Sequence, residues 1–208
     1  MMYATPTKNS DTIRAFIAVP LSPETIERLR APVEELRALC RKAGIEAAWS
    51  RPEGWHLTLK FLGQVAPDQM QPFLDRLPAC AGQYDVLTVN FGGFGAFPTP
   101  RRPRVLWIGV EPDGGAASLV ALARTVDEMT ASLGYPSEER PFSPHLTVAR
   151  IRTPPRSVHA LTGWLEQRRA DRLAAMLVER IALMRSDVRP GGSVYTPVAE
   201  FMLGKSDA

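Results

Sequence analysis

A histidine followed two residues later by a threonine occurs twice in this 208-residue chain, each time inside a run that alternates polar and aliphatic residues. The copies are His56-Leu57-Thr58-Leu59 and His145-Leu146-Thr147-Val148, and they contain two of the three histidines of the chain. In a β-strand, residues two apart share one face, so each copy presents an imidazole beside a hydroxyl while its aliphatic residues pack into a core. The repeat, with an offset of 89 residues, therefore predicts two copies of one supersecondary unit.

Strict alternation also assigns faces to the charged residues that follow each motif. Lys60 is expected on the face of His56, and Phe61 on the aliphatic face. Arg150 is expected on the face opposite to His145, so it reaches the histidine only if the strand bends. Lys60 is thus the better placed of the two cations to bind an anion held by the histidines.

The rest of the chain alternates strand-like and helix-like segments. The order strand, helix, strand, strand, helix, strand is repeated approximately, and the short turns favour antiparallel pairing. We therefore expect an α+β protein with a duplicated, pseudo-two-fold bilobal fold, in which two antiparallel sheets face a central cleft and the helices lie on the outer faces. The Gly- and Pro-rich stretch 92–104 is expected to be a loop or a broken hairpin, and 176–185 to be one strand.

Composition bounds the organisation of the chain. With 45% hydrophobic residues it can bury a proper core, and its net charge of +3 is compatible with a nucleotide or RNA ligand without demonstrating one. We expect a flexible N-terminal arm at 1–11, one bilobal domain at 12–203 and a C-terminal tail at 204–208. Cys40 and Cys80 are expected to be unreactive thiols in a reducing compartment. No segment has the pattern of a signal peptide or a transmembrane span, so we expect a cytoplasmic monomer that binds no membrane.

Two imidazoles facing one cleft can perform paired acid and base catalysis. A histidine has an unperturbed pKa of about 6.5, so one ring can accept a proton while the other donates one. This suits in-line displacement at phosphorus, with the threonine hydroxyls donating to non-bridging oxygens. The pattern alone does not say which histidine is the acid. Three histidines, with no acidic residue inside either motif, are a poor set of metal ligands, so we expect no metal and no other cofactor.

Several other residues have both a functional and a structural interpretation. His159 has no threonine partner and is expected on the surface. Phe16 and Phe142 could stack on a base, although core packing is the better interpretation for Phe16. The arginines near aromatic residues in the stretch 94–104 could grip an RNA backbone or simply lie in a solvated loop. These arginines are Arg101, Arg102 and Arg104, and the tryptophans expected in the core are Trp49, Trp55 and Trp107.

Blocks around both motifs resemble the 2H phosphoesterase superfamily, and in particular its RNA 2′,3′-cyclic phosphodiesterase branch, also called 2′-5′ RNA ligase. The resemblance extends from about residue 12 to about residue 203, and the paired His-x-Thr motif is specific for the superfamily. The matching blocks are Arg14 to Val19, Trp55 to Gly63, Pro103 to Trp107, Arg140 to Thr147, and Arg185 to Tyr195.

The resemblance implies hydrolysis of a terminal ribose 2′,3′-cyclic phosphate to a 2′-phosphate, and also the reverse 2′-5′ ligation. By analogy with the family, His56 is the proton donor to the departing 3′ oxygen and His145 is the proton acceptor that activates water. The threonines would hold the phosphate. The full set of expected substrate-binding residues is Thr58, Thr147, Arg150, Lys60 and Phe142.

Two alternatives stay open. The chain could be a non-catalytic module that binds RNA ends, with the arginine cluster and the aromatic residues carrying the affinity. It could also be a phosphodiesterase for small cyclic nucleotides, because the motif fixes the type of reaction and not the size of the substrate. The expected partner is therefore RNA with a 2′,3′-cyclic phosphate end or a cyclic nucleotide.

Overall fold

The computed structural model describes residues 12–153, 157–189 and 192–204. In these ranges the chain forms nine strands, four α-helices and two short 3-10 helices, at Pro52–Gly54 and Pro67–Gln69. The strands are β1 (Ile13–Pro20), β2 (Ala47–Trp49), β3 (His56–Val65), β4 (Leu87–Thr99), β5 (Arg102–Val110), β6 (His145–Ile151), β7 (Arg172–Val178), β8 (Arg180–Arg189) and β9 (Gly192–Met202). The helices are α1 (Pro23–Lys42), α2 (Gln71–Ala81), α3 (Gly114–Ser132) and α4 (His159–Gln167). The expected arm at 1–11 and the last four residues of the expected tail lie outside the described residues.

The strands form one antiparallel sheet in the order β7-β4-β5-β6-β3-β1-β8-β9, with β2 paired to β6. The α+β class and the antiparallel pairing are therefore confirmed. The two expected sheets are the two halves of this single sheet, β9-β8-β1-β3 and β6-β5-β4-β7. They join where Leu57 of β3 pairs with Leu146 of β6. Because each leucine directly follows a motif histidine, the join brings the two histidine strands side by side.

A β-bulge interrupts each histidine strand at the same position of the motif. Along β3 the register on β1 shifts by one after Thr58, so Leu59 is an extra residue. Along β6 the register on β5 shifts after Thr147, so Val148 is the extra residue. A bulge sets two residues against one, which reverses the alternation of faces beyond it. The order of buried and exposed side chains is accordingly the same over the first seven residues of β3 and β6.

The helices cover one face of the sheet and enclose the main hydrophobic core. α1 packs on β7, α3 on β3 and β4, α4 on β4, and α2 on α3 and β9. The first helix begins where the Ser22 hydroxyl accepts a hydrogen bond from Thr25 N at 3.2 Å, with Pro23 as the first helical residue. Cys40 and Cys80 are buried thiols, and burial raises the pKa of Cys40 to about 11, which disfavours the reactive thiolate. None of the described helices has the length and apolar composition needed to span a membrane.

Two segments differ from what the sequence led us to expect. β4 and β5 extend almost to the tip of a tight hairpin, where we expected an irregular stretch at 92–104. The β4 glycines permit close packing rather than a loop: a Cβ on Gly95 would lie 2.1 Å from the Trp107 ring, and Gly93 has a φ of +66°. The expected strand at 176–185 is two strands, β7 and β8, that meet at Glu179.

Candidate active site

The leucine pair that joins the half-sheets also positions the two motifs. Leu57 and Leu146 belong to the main core, so the histidines and threonines that flank them point to the opposite face, which the helices leave uncovered. Because the pairing is antiparallel, each motif histidine lies opposite the threonine of the other motif. The two histidines are then diagonal neighbours, for which the Cβ separation is about 7 Å. Four side chains from two distant segments thus form one group.

The backbone fixes the same tautomer of both histidines. His56 Nδ1 lies 2.7 Å from the carbonyl oxygen of Gly54, and His145 Nδ1 lies 2.8 Å from that of Ser143. A carbonyl oxygen can only accept a hydrogen bond, so Nδ1 is the donor in each ring. In the neutral imidazole this leaves Nε2 with a free lone pair, and in the imidazolium it leaves Nε2 with the proton to give. Both rings are therefore oriented to exchange a proton through Nε2.

Aromatic rings pack against each imidazole. The His56 ring has its centroid 4.7 Å from that of Phe16 and 4.9 Å from that of Tyr195, the latter edge to face. The His145 ring has Phe97 at 4.9 Å, also edge to face. These contacts leave each imidazole little freedom to rotate, which favours one orientation for proton transfer.

Burial lowers the pKa of both histidines below the ordinary value, because removal from water disfavours the charged imidazolium. The hydrogen bonds to the carbonyl oxygens oppose this effect in both rings. A positive charge lowers each pKa further: His145, when protonated, acts on the pKa of His56, and the Arg150 guanidinium acts on that of His145. The two rings are thus electrostatically coupled, and among the described residues a permanent cation lowers the pKa of His145 and not that of His56.

The bulges decide which side chains follow the threonines on the histidine face. Arg150 is exposed on that face, and the bulge at Val148 is the bend that its expected role required. The residue at the equivalent position of β3 is Phe61, whose side chain is 53% exposed and whose ring lies 6.1 Å from that of Phe16. One histidine therefore has a cation five residues after it, and the other has an exposed aromatic ring.

The prediction that Lys60 shares the face of His56 is wrong. The bulge at Leu59 turns Lys60 to the helix side of the sheet, where it is only 2% exposed. Its Nζ donates to Asp127 Oδ1 and to the carbonyl oxygen of Pro136, both at 2.5 Å. Lys60 is an internal ion-pair partner with no access to the cleft, so it cannot bind a substrate there.

Both motif threonines are partly exposed on the histidine face. In the described part of the chain, neither threonine hydroxyl forms a hydrogen bond with the protein. The Ser50 hydroxyl donates to the backbone carbonyl of Thr147 at 2.9 Å and leaves its side chain free. The hydroxyls of Thr58 and Thr147 therefore remain available to a ligand bound between the two imidazoles.

The structure separates the aromatic candidates into two groups. Phe142 is half-buried and packs against the main core, and Trp55 is buried within it as expected. Phe16 is 2% exposed, but it belongs to a small cluster on the histidine face. The prediction that Trp107 lies in the core is wrong, because it is half-buried and its ring packs against Phe97 on the histidine face.

The other charged candidates are exposed side chains. His159 is exposed at the first residue of α4, as expected. Arg104 is exposed on β5 and is the extra residue where the register on β4 shifts between Pro103 and Val105, so strict alternation does not assign its face. The three arginines at the tip of the β4–β5 hairpin are all exposed, namely Arg101, Arg102 and Arg104.

Tyr195 is a site residue to which the sequence analysis gave no role, although it ends one of the matching blocks. Its ring also packs against Phe16 at 5.3 Å, and it lies so close to Gly54 that a Cβ there would be 2.9 Å from the ring. Tyr195 is on β9, 139 residues after His56, and no nearby motif signals the contact. Only the order of the strands in the sheet brings the two together.

The composition of the site indicates the ligand it suits. Among residues 12–153, 157–189 and 192–204, no three His, Cys, Asp or Glu side chains come together to hold a metal ion. The site has instead two imidazoles, two hydroxyls, one arginine and several aromatic rings. This set suits a small anion that is attached to an apolar or aromatic group.

Comparison with known proteins agrees with this arrangement. The model of the LigT-like phosphoesterase family matches residues 19–107 and 108–195, one match in each half of the chain. The RNA 2′,3′-cyclic phosphodiesterase of Methanothermobacter thermautotrophicus is 31% identical over 92% of this chain and 99% of its own length. That of Aquifex aeolicus is 33% identical over 92% of this chain and 98% of its own length. The crystal structure of TT0787 from Thermus thermophilus has a TM-score of 0.69 and 28% identity, covering 93% of this chain and all of the other. The resemblance to the 2H phosphoesterases is thereby confirmed, and the chain belongs to the LigT-like phosphoesterase family.

Proposed function

We propose that this protein hydrolyses RNA 2′,3′-cyclic phosphate ends to 2′-phosphomonoesters without a metal ion, with His56 as proton donor and His145 as proton acceptor. The observation that carries the proposal is the pair of imidazoles on one face, each with Nδ1 held by a carbonyl and Nε2 free. Relatives named RNA 2′,3′-cyclic phosphodiesterase, similar over nearly their whole length, support the choice of substrate.

In the proposed reaction a water molecule attacks phosphorus in line with the bond to the 3′ oxygen. The water oxygen forms the new bond to phosphorus and its proton passes to His145 Nε2. The bond between phosphorus and the 3′ oxygen breaks, and that oxygen takes the proton from His56 Nε2. The phosphate stays on the 2′ oxygen, and proton exchange with solvent restores both rings.

The asymmetry of charge around the two rings supports this division of roles. Arg150 carries a permanent charge and disfavours protonation of His145, which suits a base. At the equivalent place, Phe61 adds no charge beside His56. A bound phosphodiester anion favours one imidazolium in the pair, and the Arg150 charge opposes placing that proton on His145.

The remaining side chains of the face would hold the substrate. Thr58 and Thr147 donate to the non-bridging oxygens, and the Arg150 guanidinium adds a charge-assisted contact. The departing 3′ oxygen belongs to the ribose, so the nucleoside lies on the side of His56, where Phe61 offers an exposed ring for stacking. Packing against the main core favours a structural role for Phe142 over the expected contact with substrate.

The 2′-5′ ligation that the resemblance implies would use the same groups. A 5′-hydroxyl would replace water as the nucleophile, and its proton would pass to His145. The bond between phosphorus and the 3′ oxygen would again break with a proton from His56, leaving a 2′-5′ phosphodiester. Because the two reactions differ only in the nucleophile, the concentration of 5′-hydroxyl RNA ends would decide between them.

The proposal is tested by hydrolysis of a cyclic-phosphate-ended oligonucleotide in excess chelator, with the product separated as 2′- or 3′-phosphate. We expect a 2′-phosphate, at a rate that the chelator leaves unchanged. Loss of activity in chelator would contradict the metal-independent mechanism, and a 3′-phosphate product would contradict the assignment of the leaving oxygen. RNA binding with no product, and binding that survives removal of both motif histidines, would favour the non-catalytic module instead.

A further inference from the structure

A polar cavity lies outside the histidine face, between the end of α1 and β2. Its volume is about 590 Å³. We call it the arginine groove, because three arginines line it together with one glutamate and one tryptophan. These residues are Arg37, Arg41, Arg152, Glu46 and Trp49.

The charges of the arginine groove are not balanced by its own residues. Arg37 pairs with Glu34 at 3.2 Å, and its guanidinium lies 5.9 Å from the centroid of the Trp49 ring. Within the described ranges, Arg41 and Arg152 form no salt bridge, and both are exposed. Trp49, which the sequence led us to expect in the core, is half-buried: it pairs with Ala149 and packs against the main core on the helix side of the sheet. The groove therefore offers two available cations beside an aromatic ring.

Arg152, which directly follows β6, is the residue of the arginine groove that lies nearest in sequence to the histidine face. Arg152 follows Arg150 by two residues, so the two arginines point to the same side of the chain. The backbone N–H of Arg152 donates to Glu46 O at 3.0 Å, which continues the pairing of β6 with β2 beyond the last strand residue. At about 3.3 Å per residue, Arg152 lies roughly 16 Å along the strand from Thr147. This separation exceeds the reach of a single phosphate group bound at the histidines.

We propose that the arginine groove binds the sugar-phosphate backbone of an RNA chain whose cyclic phosphate end occupies the histidine site. This inference rests on the proposed function and deepens it, because it names the surface that would hold the RNA chain beyond its cyclic phosphate end. Grooves that hold single strands combine cations that follow the backbone with aromatic rings on which bases stack. Arg150, Arg152 and Arg41 supply the line of cations, and Trp49 supplies the ring.

The test compares two double variants with the same change of charge. Arg41→Glu/Arg152→Glu reverses the charge of the groove without removing the Arg37 contact to Trp49. Arg28→Glu/Arg124→Glu changes two exposed arginines of α1 and α3 that do not line the groove. Each protein is assayed on a cyclic mononucleotide and on cyclic-phosphate-ended oligonucleotides of increasing length. Binding of a 2′-phosphate-ended oligonucleotide, which is not turned over, is measured by fluorescence anisotropy as a function of salt.

We expect the groove variant to lose roughly tenfold or more in oligonucleotide affinity and in kcat/KM on the longer substrates. The slope of log affinity against log salt should fall by about 1.4, since each phosphate contact of a single strand contributes about 0.7. Mononucleotide turnover should change less than about twofold, and the control variant should match wild type within the same margin.

Equal effects of both double variants, or no effect of the groove variant on oligonucleotide binding, would overturn the inference. A groove variant that loses mononucleotide and oligonucleotide turnover to the same degree would overturn it as well. The binding measurement does not depend on catalysis. If wild type hydrolyses no cyclic phosphate but binds the oligonucleotide through the groove, the proposed function fails and the groove assignment stands.

Discussion

The two histidine strands share one backbone and differ in the side chains that follow the bulge. Over seven residues they have the same order of buried and exposed positions, the same bulge and the same hydrogen bond from Nδ1 to a carbonyl two residues earlier. After the bulge, β3 has a buried lysine and an exposed phenylalanine, whereas β6 has a buried alanine and an exposed arginine. The shared backbone thus orients the two imidazoles in the same way, and the different side chains around them give the two rings different surroundings.

The partner strands differ in the same way. Thr58 pairs with Ala18, and Thr147 pairs with Trp107. On the first half the large ring comes instead from Phe16, which pairs with Phe61. The strand that pairs with each histidine strand therefore contributes one bulky ring to the histidine face, at a different step in the two halves, and the two walls of the cleft have different shapes. A substrate with a phosphate at one end and a nucleoside at the other has one preferred orientation in such a cleft.

The largest expected effect on the rate comes from removal of either motif imidazole. His56→Ala and His145→Ala should each lower the rate of cyclic phosphate hydrolysis by about 10²–10⁴-fold, the contribution of a positioned acid or base. His159→Ala is the matched control, because this third histidine is exposed on α4 and should leave the rate unchanged. Steady-state kinetics and thermal unfolding of all three variants make the comparison. Near-normal turnover in either motif variant would remove that residue from the mechanism.

The buried side chains after the bulge should differ in their effect on stability. Lys60→Met leaves the Asp127 carboxylate and the Pro136 carbonyl without their partner, and we expect the free energy of unfolding to fall by about 2–3 kcal/mol. This is less than for a fully enclosed pair, because Asp127 is 21% exposed. Arg28→Met, which removes an exposed ion pair with Glu24, should cost less than about 0.5 kcal/mol.

Denaturant unfolding distinguishes the two roles of Lys60. If Lys60→Met left the stability unchanged and raised KM, the result would support a contact between Lys60 and the substrate and contradict its internal position. The same variant carries a second expectation, because Asp127 also accepts from Glu138 N at 3.2 Å in the segment that leads to β6. Loss of the lysine should therefore increase hydrogen exchange in residues 135–144 more than in the rest of the sheet.

The threonines should contribute equally if the backbone symmetry extends to the phosphate. Thr58→Val and Thr147→Val keep the shape of the side chain and remove one hydrogen bond to a charged oxygen, worth about 1.5–3 kcal/mol. We expect kcat/KM to fall by about 10–100-fold in each, with similar values for the two. A single-turnover assay on the same substrate gives both numbers. A large effect of one threonine and none of the other would show that the phosphate does not lie on the pseudo-two-fold axis.

The smallest effect should appear in the pH profile of an Arg150 variant. Activity requires a neutral His145 and a protonated His56. The acidic limb of kcat/KM therefore reports the pKa of His145, and the basic limb reports the pKa of His56. Both pKa values lie below the ordinary one, so the optimum of the free enzyme should be on the acid side of about 6.5. Arg150→Met removes a cation that lowers the pKa of His145, so the acidic limb should move to higher pH while the basic limb stays.

Arg150→Lys is the matched control for the pH experiment. It keeps the charge near His145 and should keep the acidic limb in place, although it loses the forked geometry of the guanidinium and should raise KM. A shift of the basic limb in Arg150→Met, with no change of the acidic one, would exchange the roles that we assign to the two histidines.

The sequence was sufficient to predict the histidine pair and insufficient to predict its neighbours. The repeat of histidine and threonine survives any error in element boundaries, because it depends on spacing of two residues within one strand. Lys60 was assigned to the wrong face because a bulge changes the alternation without a local signal, and a lysine after Leu59 looks like a normal polar position. In the second copy strict alternation places Arg150 on the face opposite to His145, so its expected role requires a bend, and the bulge at Val148 provides that bend.

The walls of the cleft were harder to predict for a different reason. Tyr195 and Phe97 reach the histidines only through the order of strands in the sheet, and long-range pairing is not encoded in a local pattern. Trp107 was assigned to the core because a tryptophan in a strand is usually buried. Its position depends on Gly95, which leaves space for the indole on the histidine face.

The most direct test of the two-histidine account is a substrate that needs no acid. In a nucleoside 2′,3′-cyclic phosphate with sulfur in place of the bridging 3′ oxygen, the leaving thiolate departs without a proton. We expect His56→Ala to hydrolyse this substrate within roughly tenfold of wild type, while His145→Ala remains about 10²–10⁴-fold slower. Equal losses in both variants, or recovery of His145→Ala alone, would contradict the account.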